Sequence, residues 1–249
     1  MAQNTMTAGL VAMAAAAAIT ACAPKPATQA ETAQASSAPA TRDEASTPAR
    51  VYAPAGAYLL DANHASLSFA VSHLGLSNYV VRFTRFDGSI NLDPDNLANS
   101  SVTFSVDPSS VRTDYRGDFR ATHPKSPFAS WDEALGRDPN LLNARQFAEA
   151  TFQSTAVEVT GPNTARVTGD LTLLGQTHPA TFAVTWVGST AKHPFTGAGA
   201  FGVQATGTIN RSDYGMTYLL GADGKPDIVG NAVTLTFNGE FLQAKKPAT

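Results

Sequence analysis

The chain has 249 residues, 43% of them hydrophobic, which suits one large globular domain or two small ones. Its formal net charge is -3 and its basic residues are scattered, which argues against a nucleic-acid-binding face. The single cysteine, Cys22, excludes an internal disulfide and a cysteine-based zinc site.

The N-terminus carries an uncharged, largely apolar run at residues 8–21. The run is shorter than the roughly 20 residues that span a bilayer, but it has the length of a signal-peptide core. It ends in Ile19-Thr20-Ala21-Cys22, which resembles the lipobox of bacterial lipoproteins, whose cysteine is lipidated and becomes the new N-terminus. We therefore expect a signal peptide at 1–21 and lipidation at Cys22; a plain secretory signal is the alternative.

The resemblance to lipoproteins also implies a location. The chain is expected in the bacterial cell envelope, facing the periplasm and held to a membrane by its N-terminal lipid. Ala23, rather than aspartate, follows the cysteine, which favours the outer membrane. Residues 22–56, rich in Ala, Pro, Thr, Ser and Gln, are too poor in large apolar side chains to fold and are predicted to form a disordered tether.

From Tyr58 onward, apolar and polar residues alternate with a period of two, which predicts about eight or nine antiparallel strands with one apolar face each. In one such run Leu67, Phe69, Val71 and His73 share a face. Turns are predicted at Asp93-Pro94-Asp95-Asn96, Gly161-Pro162-Asn163, Leu174-Gly175-Gln176 and Asp223-Gly224-Lys225. The alternation fits a closed barrel and a sandwich equally well.

Residues 107–150 interrupt the strand pattern. Two short helices are predicted there, near Ser130–Leu135 and near Asn143–Ala150, with Asn143 as the N-cap of the second. A connection this long in a β-domain is more often functional than inert, so we expect it to form a lid or mouth. Its large apolar residues are Phe119, Phe128, Trp131 and Phe147.

Several blocks of the chain resemble the YceI-like family of bacterial periplasmic proteins. They are Asp61-x-x-His64, Phe69-x-Val71-x-His73-Leu74-Gly75-Leu76-Ser77, Phe83-x-x-Phe86-x-Gly88-x-Ile90, Ser109-Ser110-Val111-x-Thr113, Arg137-Asp138, Leu141 to Phe147, Gly169-x-Leu171-Thr172-Leu173-x-Gly175-x-Thr177-x-Pro179 and Ile209 to Gly215. The resemblance implies an all-β fold, an antiparallel eight-stranded lipocalin-like barrel with a short helical excursion, at residues 57–245. Residues 246–249 are expected to be a disordered tail.

The resemblance further implies an elongated apolar channel that binds an isoprenoid lipid of the quinone or prenyl-phosphate class. The expected lipid-binding residues are Phe69, Val71, His73, Val102, Phe104, Phe147, Leu171, Leu173, Phe201, Ile209 and Phe237. His73 shares the apolar face, so it is a candidate contact for the lipid head group. No cofactor is expected besides this ligand, and a homodimer is left open.

Motifs for catalysis and metal binding are weak. Gly197-x-Gly199-x-x-Gly202 matches a dinucleotide fingerprint, but an alternating strand follows where a helix is required, so the glycines are expected to let a strand curve. His64 and His73, nine apart on one predicted strand, would face opposite ways, so no metal site is expected. Arg211 and Asp213 are expected to form a turn-fixing ion pair.

These observations favour a binding protein over an enzyme. The main hypothesis is an anchored barrel that sequesters or transports an isoprenoid lipid. The alternative is a solid-cored envelope domain, structural or stress-related, that acts through a protein partner without a lipid. A third hypothesis, an enzyme acting on such a lipid, would require convergent polar groups inside the barrel.

Overall fold

The computed structural model describes residues 53–222 and 227–245. The predicted signal peptide, Cys22, nearly all of the tether, the turn at 223–225 and the 246–249 tail lie outside the described residues.

The predicted all-β architecture is confirmed. The strands are β1 Gly56–Leu60, β2 Ser66–His73, β3 Ser77–Phe83, β4 Phe86–Leu92, β5 Ser101–Val106, β6 Val111–Arg112, β7 Ala150–Gly161, β8 Thr164–Leu173, β9 Gln176–Thr190, β10 Ala200–Asn210 and β11 Val229–Gln243. The helices are α1 Phe119–Thr122 and α2 Trp131–Arg137, and 3-10 turns lie at Ala62–His64, Leu97–Asn99, Pro108–Ser110 and Arg211–Tyr214.

The strands form a closed antiparallel barrel rather than a sandwich. Eight of them follow one another in the order β1-β4-β5-β7-β8-β9-β10-β11, and β11 pairs back with β1. The other three lie end to end with barrel strands: β2 continues the line of β1 along β11, with Leu60 opposite Phe241 and Phe69 opposite Leu235. In the same way β3 extends β4, and β6 extends β5.

Polar side chains replace the ladder hydrogen bonds where these strands break. The Asp61 carboxylate caps the turn between β1 and β2, because it accepts from the Asn63 N–H at 3.0 Å. The buried Ser110 hydroxyl accepts from the N–H groups of Thr84 and Arg85, at 3.2 and 3.0 Å, where β3 gives way to β4. The backbone N–H groups of Asn63, Thr84 and Arg85 therefore have hydrogen-bond partners at these strand breaks.

One end of the barrel is filled by aromatic rings. Phe201 stacks on Trp186 at 4.6 Å between ring centroids and also contacts Tyr58 at 4.8 Å and Phe241 at 5.5 Å. Ala53, in the stretch predicted as tether, is buried against this cluster, so the ordered chain begins before β1. Away from this cluster, side chains line the barrel interior without filling it.

Short turns join most neighbouring strands, as predicted. Leu174 and Gly175, between β8 and β9, both have positive φ, as a two-residue hairpin with type I′ geometry requires. The glycine-rich segment before β10 leads into a strand, and the register shifts between Gly202 and Val203. Because Gly202 pairs with Gly188 and Val203 with Trp186, the extra residue of this β-bulge is Val187 on β9, and the role expected of the glycines before β10 stays a prediction.

The long excursion between β6 and β7 holds both helices. The helix predicted near Ser130 is confirmed: the Ser130 hydroxyl caps α2 by accepting from the Glu133 N–H at 3.1 Å. The helix predicted at Asn143–Ala150 is wrong. Asn143 has a φ of 44°, outside right-handed helical geometry, and Ala150 already pairs with Val106 in the barrel.

The excursion has a small core of its own. Phe119, Phe128 and Ala134 are buried together, and Trp131 packs against them. Within the described residues, no helix combines the length and the apolar character needed to cross a membrane.

Candidate functional site

A cavity of about 630 Å³ lies inside the barrel, next to the aromatic cluster. This volume falls within the range of roughly 300–1,000 Å³ found for small-molecule sites. The lining comes from nearly every barrel strand and from the excursion, and it is overwhelmingly aliphatic and aromatic. Such a surface favours an apolar occupant, because transfer of apolar surface out of water drives binding.

The cavity is closed at one end and open at the other. Its inner lining includes Phe237 and Phe241, which are buried against the aromatic cluster. Five lining residues are exposed to solvent: His73, Ser77, Tyr115, His123 and Tyr218. All five belong to strand ends and loops at the end where β2 meets β3 and where the excursion lies, so this end is the mouth.

The excursion forms one side of the mouth. Tyr115, His123 and Trp131 line the cavity, and the rings of His123 and Trp131 stack with centroids 5.8 Å apart. Leu135 of α2 packs with Val111 and Leu142 in a core cluster that Tyr79 covers. The structure thus places the excursion over the barrel opening, where the sequence analysis expected a lid or mouth.

Among the described residues, Tyr79 carries the one buried side-chain nitrogen or oxygen atom that has no hydrogen-bond partner. Its hydroxyl is buried and has no hydrogen-bond partner, although the side chain lines the cavity. A buried hydroxyl without a partner costs about 1–3 kcal/mol. A ligand with an oxygen atom at this point would satisfy it.

Arg211 is the one permanently charged residue among the described residues that line the cavity. Its guanidinium donates to the carbonyl oxygens of Gly230, Met216 and Val229, at 2.9, 3.0 and 2.7 Å. Burial lowers the pKa of Arg211 from its ordinary value. Each of Nε, Nη1 and Nη2 therefore donates one hydrogen bond to a backbone carbonyl. Together these bonds hold the loop that precedes β11 against the start of that strand.

The expected ion pair between Arg211 and Asp213 is wrong. Asp213 is exposed and accepts from the neighbouring Ser212 hydroxyl at 3.4 Å, while the Arg211 donors point to carbonyl groups. The two residues lie in a 3-10 turn and not on a strand end, so their separation of two does not place them on one side.

Nine of the eleven expected lipid-binding residues line the cavity: Phe69, Val71, His73, Val102, Phe104, Leu171, Leu173, Ile209 and Phe237. Phe201 instead belongs to the aromatic cluster at the closed end. Phe147 lies in a separate surface cleft of about 430 Å³ with Leu174 and Tyr214, where its ring packs under Gly175. Tyr79 also lines the cavity but is absent from the expected set, although Tyr79, Val81 and Phe83 show the same alternation that identifies the other lining residues.

The histidines do not share a site. His64 lies in the turn between β1 and β2, not on one strand with His73, and its Nδ1 lies 2.8 Å from an Asp61 oxygen. That hydrogen bond raises the pKa of His64 above 6.5 and lowers the pKa of Asp61. Glu240 offers a third atom within 4.8 Å of these two, but His64 and Glu240 are exposed and the His64–Asp61 bond accounts for the arrangement.

The sequence profile of the YceI-like domain matches residues 58–241, which run from β1 into β11. The chain belongs to the YceI-like family. A UPF0312 protein of Vibrio cholerae is 34% identical over 178 residues, covering 71% of this chain and 85% of that protein. A UPF0312 protein of Staphylococcus aureus is 30% identical over 184 residues, covering 74% and 96%.

The fold is also found among solved structures. The crystal structure of BcnA from Burkholderia cenocepacia superposes with a TM-score of 0.56 at 20% identity, covering 73% of this chain and 98% of that one. At this identity the likeness is one of fold. The resemblance seen in the sequence blocks is confirmed, and with it the lipocalin-like barrel.

Proposed function

We propose that this barrel binds an isoprenoid-type lipid and sequesters or transports it in the bacterial envelope. The observation that carries the proposal is the apolar cavity of about 630 Å³ with one open end. The rival hypothesis of a solid-cored domain requires a filled interior, whereas this interior contains a cavity.

The energetics of an isoprenoid tail fit such a cavity. Burial of a CH₂ group contributes about 0.8 kcal/mol, so a five-carbon unit gains roughly 3–4 kcal/mol before other costs. Association costs on the order of 4–15 kcal/mol in lost freedom of motion. A tail of a few units therefore offsets the cost without any charged contact.

An uncharged head group fits better than a phosphate. An ionised group buried without a partner is costly, and the one permanent charge in the described lining, Arg211, already donates to three carbonyls. The Tyr79 hydroxyl can donate to a carbonyl or hydroxyl oxygen of the ligand. We therefore place quinones and prenyl alcohols ahead of prenyl phosphates, which would have to keep their head near His73 and His123 at the mouth.

The chemistry of the cavity lining supports a lipid carrier better than an enzyme. Acid–base chemistry needs titratable groups that converge on one reacting point. In the described lining the hydrogen-bonding side chains are few, and most of the lining is hydrocarbon.

A matched pair of substitutions tests the proposal. Ala205 on β10 lines the cavity, whereas Ala183 on the neighbouring β9 is exposed on the outer face. Ala205→Phe fills the cavity and should weaken binding of an isoprenoid quinone by at least about tenfold, equivalent to about 1.4 kcal/mol. Ala183→Phe adds the same ring outside and should leave the affinity unchanged.

Quenching of intrinsic tryptophan fluorescence by the added quinone gives the affinities. Equal quinone affinities for the two variants, or no saturable quinone binding to the unsubstituted chain, would contradict the proposed function.

A further inference from the structure

Two loop segments at the cavity mouth carry no charged side chain, whereas Asp227 follows the second of them and the excursion beside them is charged. Residues 73–78, which form the β2–β3 turn, and residues 215–222, which lead away from the Arg211 turn, contain no Asp, Glu, Lys or Arg. The loop at the closed end between β4 and β5 differs, because it carries Asp93 and Asp95. The two ends of the barrel therefore present different surfaces to their surroundings.

Four large apolar side chains at this end of the barrel stand in solvent, three of them on these segments and the fourth, Ile228, between Asp227 and β11. Leu74 is 52% exposed, Leu76 85%, Tyr218 49% and Ile228 44%. We call these four residues the apolar rim. Exposed apolar residues scattered singly are ordinary, but a group of them around a cavity opening marks an interaction surface.

Hydrogen bonds join the loops of the rim into one surface. The Leu74 N–H donates to the Ile228 carbonyl at 2.8 Å, and the Ile228 N–H donates to the Leu219 carbonyl at 3.1 Å. His73 and Ser77, on either side of the hairpin tip, line the cavity, as do Tyr218 and Leu219. The apolar rim is therefore continuous with the cavity lining.

The backbone at the hairpin tip is unusual for the residue it carries. Leu74 has a φ of 54°, a left-handed conformation in which glycine and asparagine are the favoured residues. A bulky side chain is strained there and, at this exposure, gains little from the fold. Leu174 adopts the same conformation in the β8–β9 hairpin, but its side chain is partly buried, whereas more than half of the Leu74 side chain is left to contact something outside the barrel.

We propose that the apolar rim docks on a lipid bilayer, so that the lipid passes between the bilayer and the cavity without crossing water. The inference rests on the proposed function, because a cavity for an isoprenoid tail must exchange its occupant with the phase where that tail dissolves. Tyrosine and leucine at the rim suit the interface between lipid head groups and acyl chains.

The charge beside the rim also suits a bilayer. Residues 112–125, which run from β6 into the excursion, hold four basic residues, Arg112, Arg116, Arg120 and Lys125, against two acidic ones, Asp114 and Asp118. This positive excess is local, because residues 107–150 as a whole hold six basic and seven acidic residues. Tyr115 and His123 of this segment line the mouth. Anionic lipid head groups attract such an excess of positive charge.

The rim can be changed without disturbing the cavity. Leu74→Asn places a residue that accepts positive φ at the tip, and Leu76→Ser removes the most exposed side chain of the rim. Neither residue lines the cavity. Phe195→Ser is the matched control, because Phe195 is 92% exposed on the β9–β10 loop at the opposite end of the barrel.

The chain from residue 22 with Cys22→Ser avoids a lipid anchor and keeps every described strand and helix, which lie between residues 56 and 243. Flotation with vesicles of phosphatidylethanolamine and phosphatidylglycerol measures docking. The doubly substituted rim chain should float at least fivefold less than the unsubstituted chain, and Phe195→Ser should float like it.

Transfer of an isoprenoid quinone between donor and acceptor vesicles gives a second readout. The rate should rise with acceptor concentration for the unsubstituted chain and fall at least fivefold in the rim variant, whose quinone affinity in detergent stays the same. Equal flotation of the rim and control variants, or a failure of the unsubstituted chain to float, overturns the docking proposal. Absence of quinone binding in detergent, with rim-dependent flotation intact, overturns the proposed function alone.

Discussion

Tyr79 carries a buried hydroxyl without a hydrogen-bond partner, which opposes stability and which the proposed ligand would satisfy. Its alternation with Val81 and Phe83 places it inside the barrel, and α2 and its neighbours then exclude water from the hydroxyl. The alternation can be read from the sequence. The absence of a hydrogen-bond partner for the hydroxyl cannot be read from the sequence, because it depends on which residues of a distant excursion cover the ring.

Tyr79→Phe should therefore act in two directions. The free energy of unfolding of the ligand-free chain should rise by about 1–2 kcal/mol, because an unpaired buried hydroxyl is removed. The affinity for an isoprenoid quinone should fall roughly two- to tenfold, the effect of one lost hydrogen bond. Chemical denaturation and quinone titration measure the two effects.

A polyisoprene hydrocarbon without an oxygen atom is the control ligand for this variant. Its affinity should be the same for the unsubstituted chain and for the Tyr79→Phe variant, since the hydrocarbon offers the hydroxyl nothing to bond. A quinone affinity that is unchanged by Tyr79→Phe would mean that the head group lies elsewhere.

The pair of Asp61 and His64 makes a prediction about pH. Because the Asp61 hydrogen bond raises the pKa of His64 above 6.5, this interaction stabilises the fold fully below pH 6.5 and is lost as the pH rises through the raised value. Asp61→Asn should return the His64 pKa toward 6.5 in an NMR titration. A His64 pKa that does not move on this substitution would show that the bond does not form in solution.

Among the elements of the fold, the strands are predictable from the sequence and the connections are not. Period-two alternation locates the barrel strands because each has one face toward the interior. Asn143 is misleading, because an asparagine before residues 144–147 is typical of a helix N-terminus. In the structure Ala150 pairs with Val106, which requires extended backbone there. The role of Arg211 escapes the sequence for a related reason: its carbonyl partners on Val229 and Gly230 are distant in the chain.

Arg211 fastens the loop that leads into β11, which gives a prediction at the element scale. Arg211→Met keeps the apolar stem but leaves three carbonyl groups without their donor, and should lower the free energy of unfolding by about 2–4 kcal/mol. Protease cleavage within residues 216–222 should become faster. Stability and cleavage equal to those of the unsubstituted chain would show that water replaces the guanidinium without cost.

At the scale of the whole molecule, the barrel has one packed end and a cavity that opens at the other end. Stacked rings around Phe201 close one end, and the opposite end opens beneath the excursion. The sequence predicts apolar interior faces along all the strands, but it cannot separate Phe201, which packs, from Ile209, which lines the cavity. That division depends on where rings from several strands meet in space.

Anchoring is the second prediction at this scale. Lipidation at Cys22 would hold the barrel near a bilayer, within reach of the apolar rim. A full chain expressed in bacteria should incorporate radiolabelled palmitate and fractionate with the outer membrane, and Cys22→Ser should abolish both. Labelling that survives the substitution would contradict the anchor.

The most direct test of the central claim is native mass spectrometry of the purified chain from residue 22 with Cys22→Ser, followed by solvent extraction. A lipid-filled barrel predicts a second species heavier by one isoprenoid lipid, which is recovered in the extract and lost in Ala205→Phe. A single ligand-free mass that remains after incubation with quinones and prenyl alcohols would contradict it.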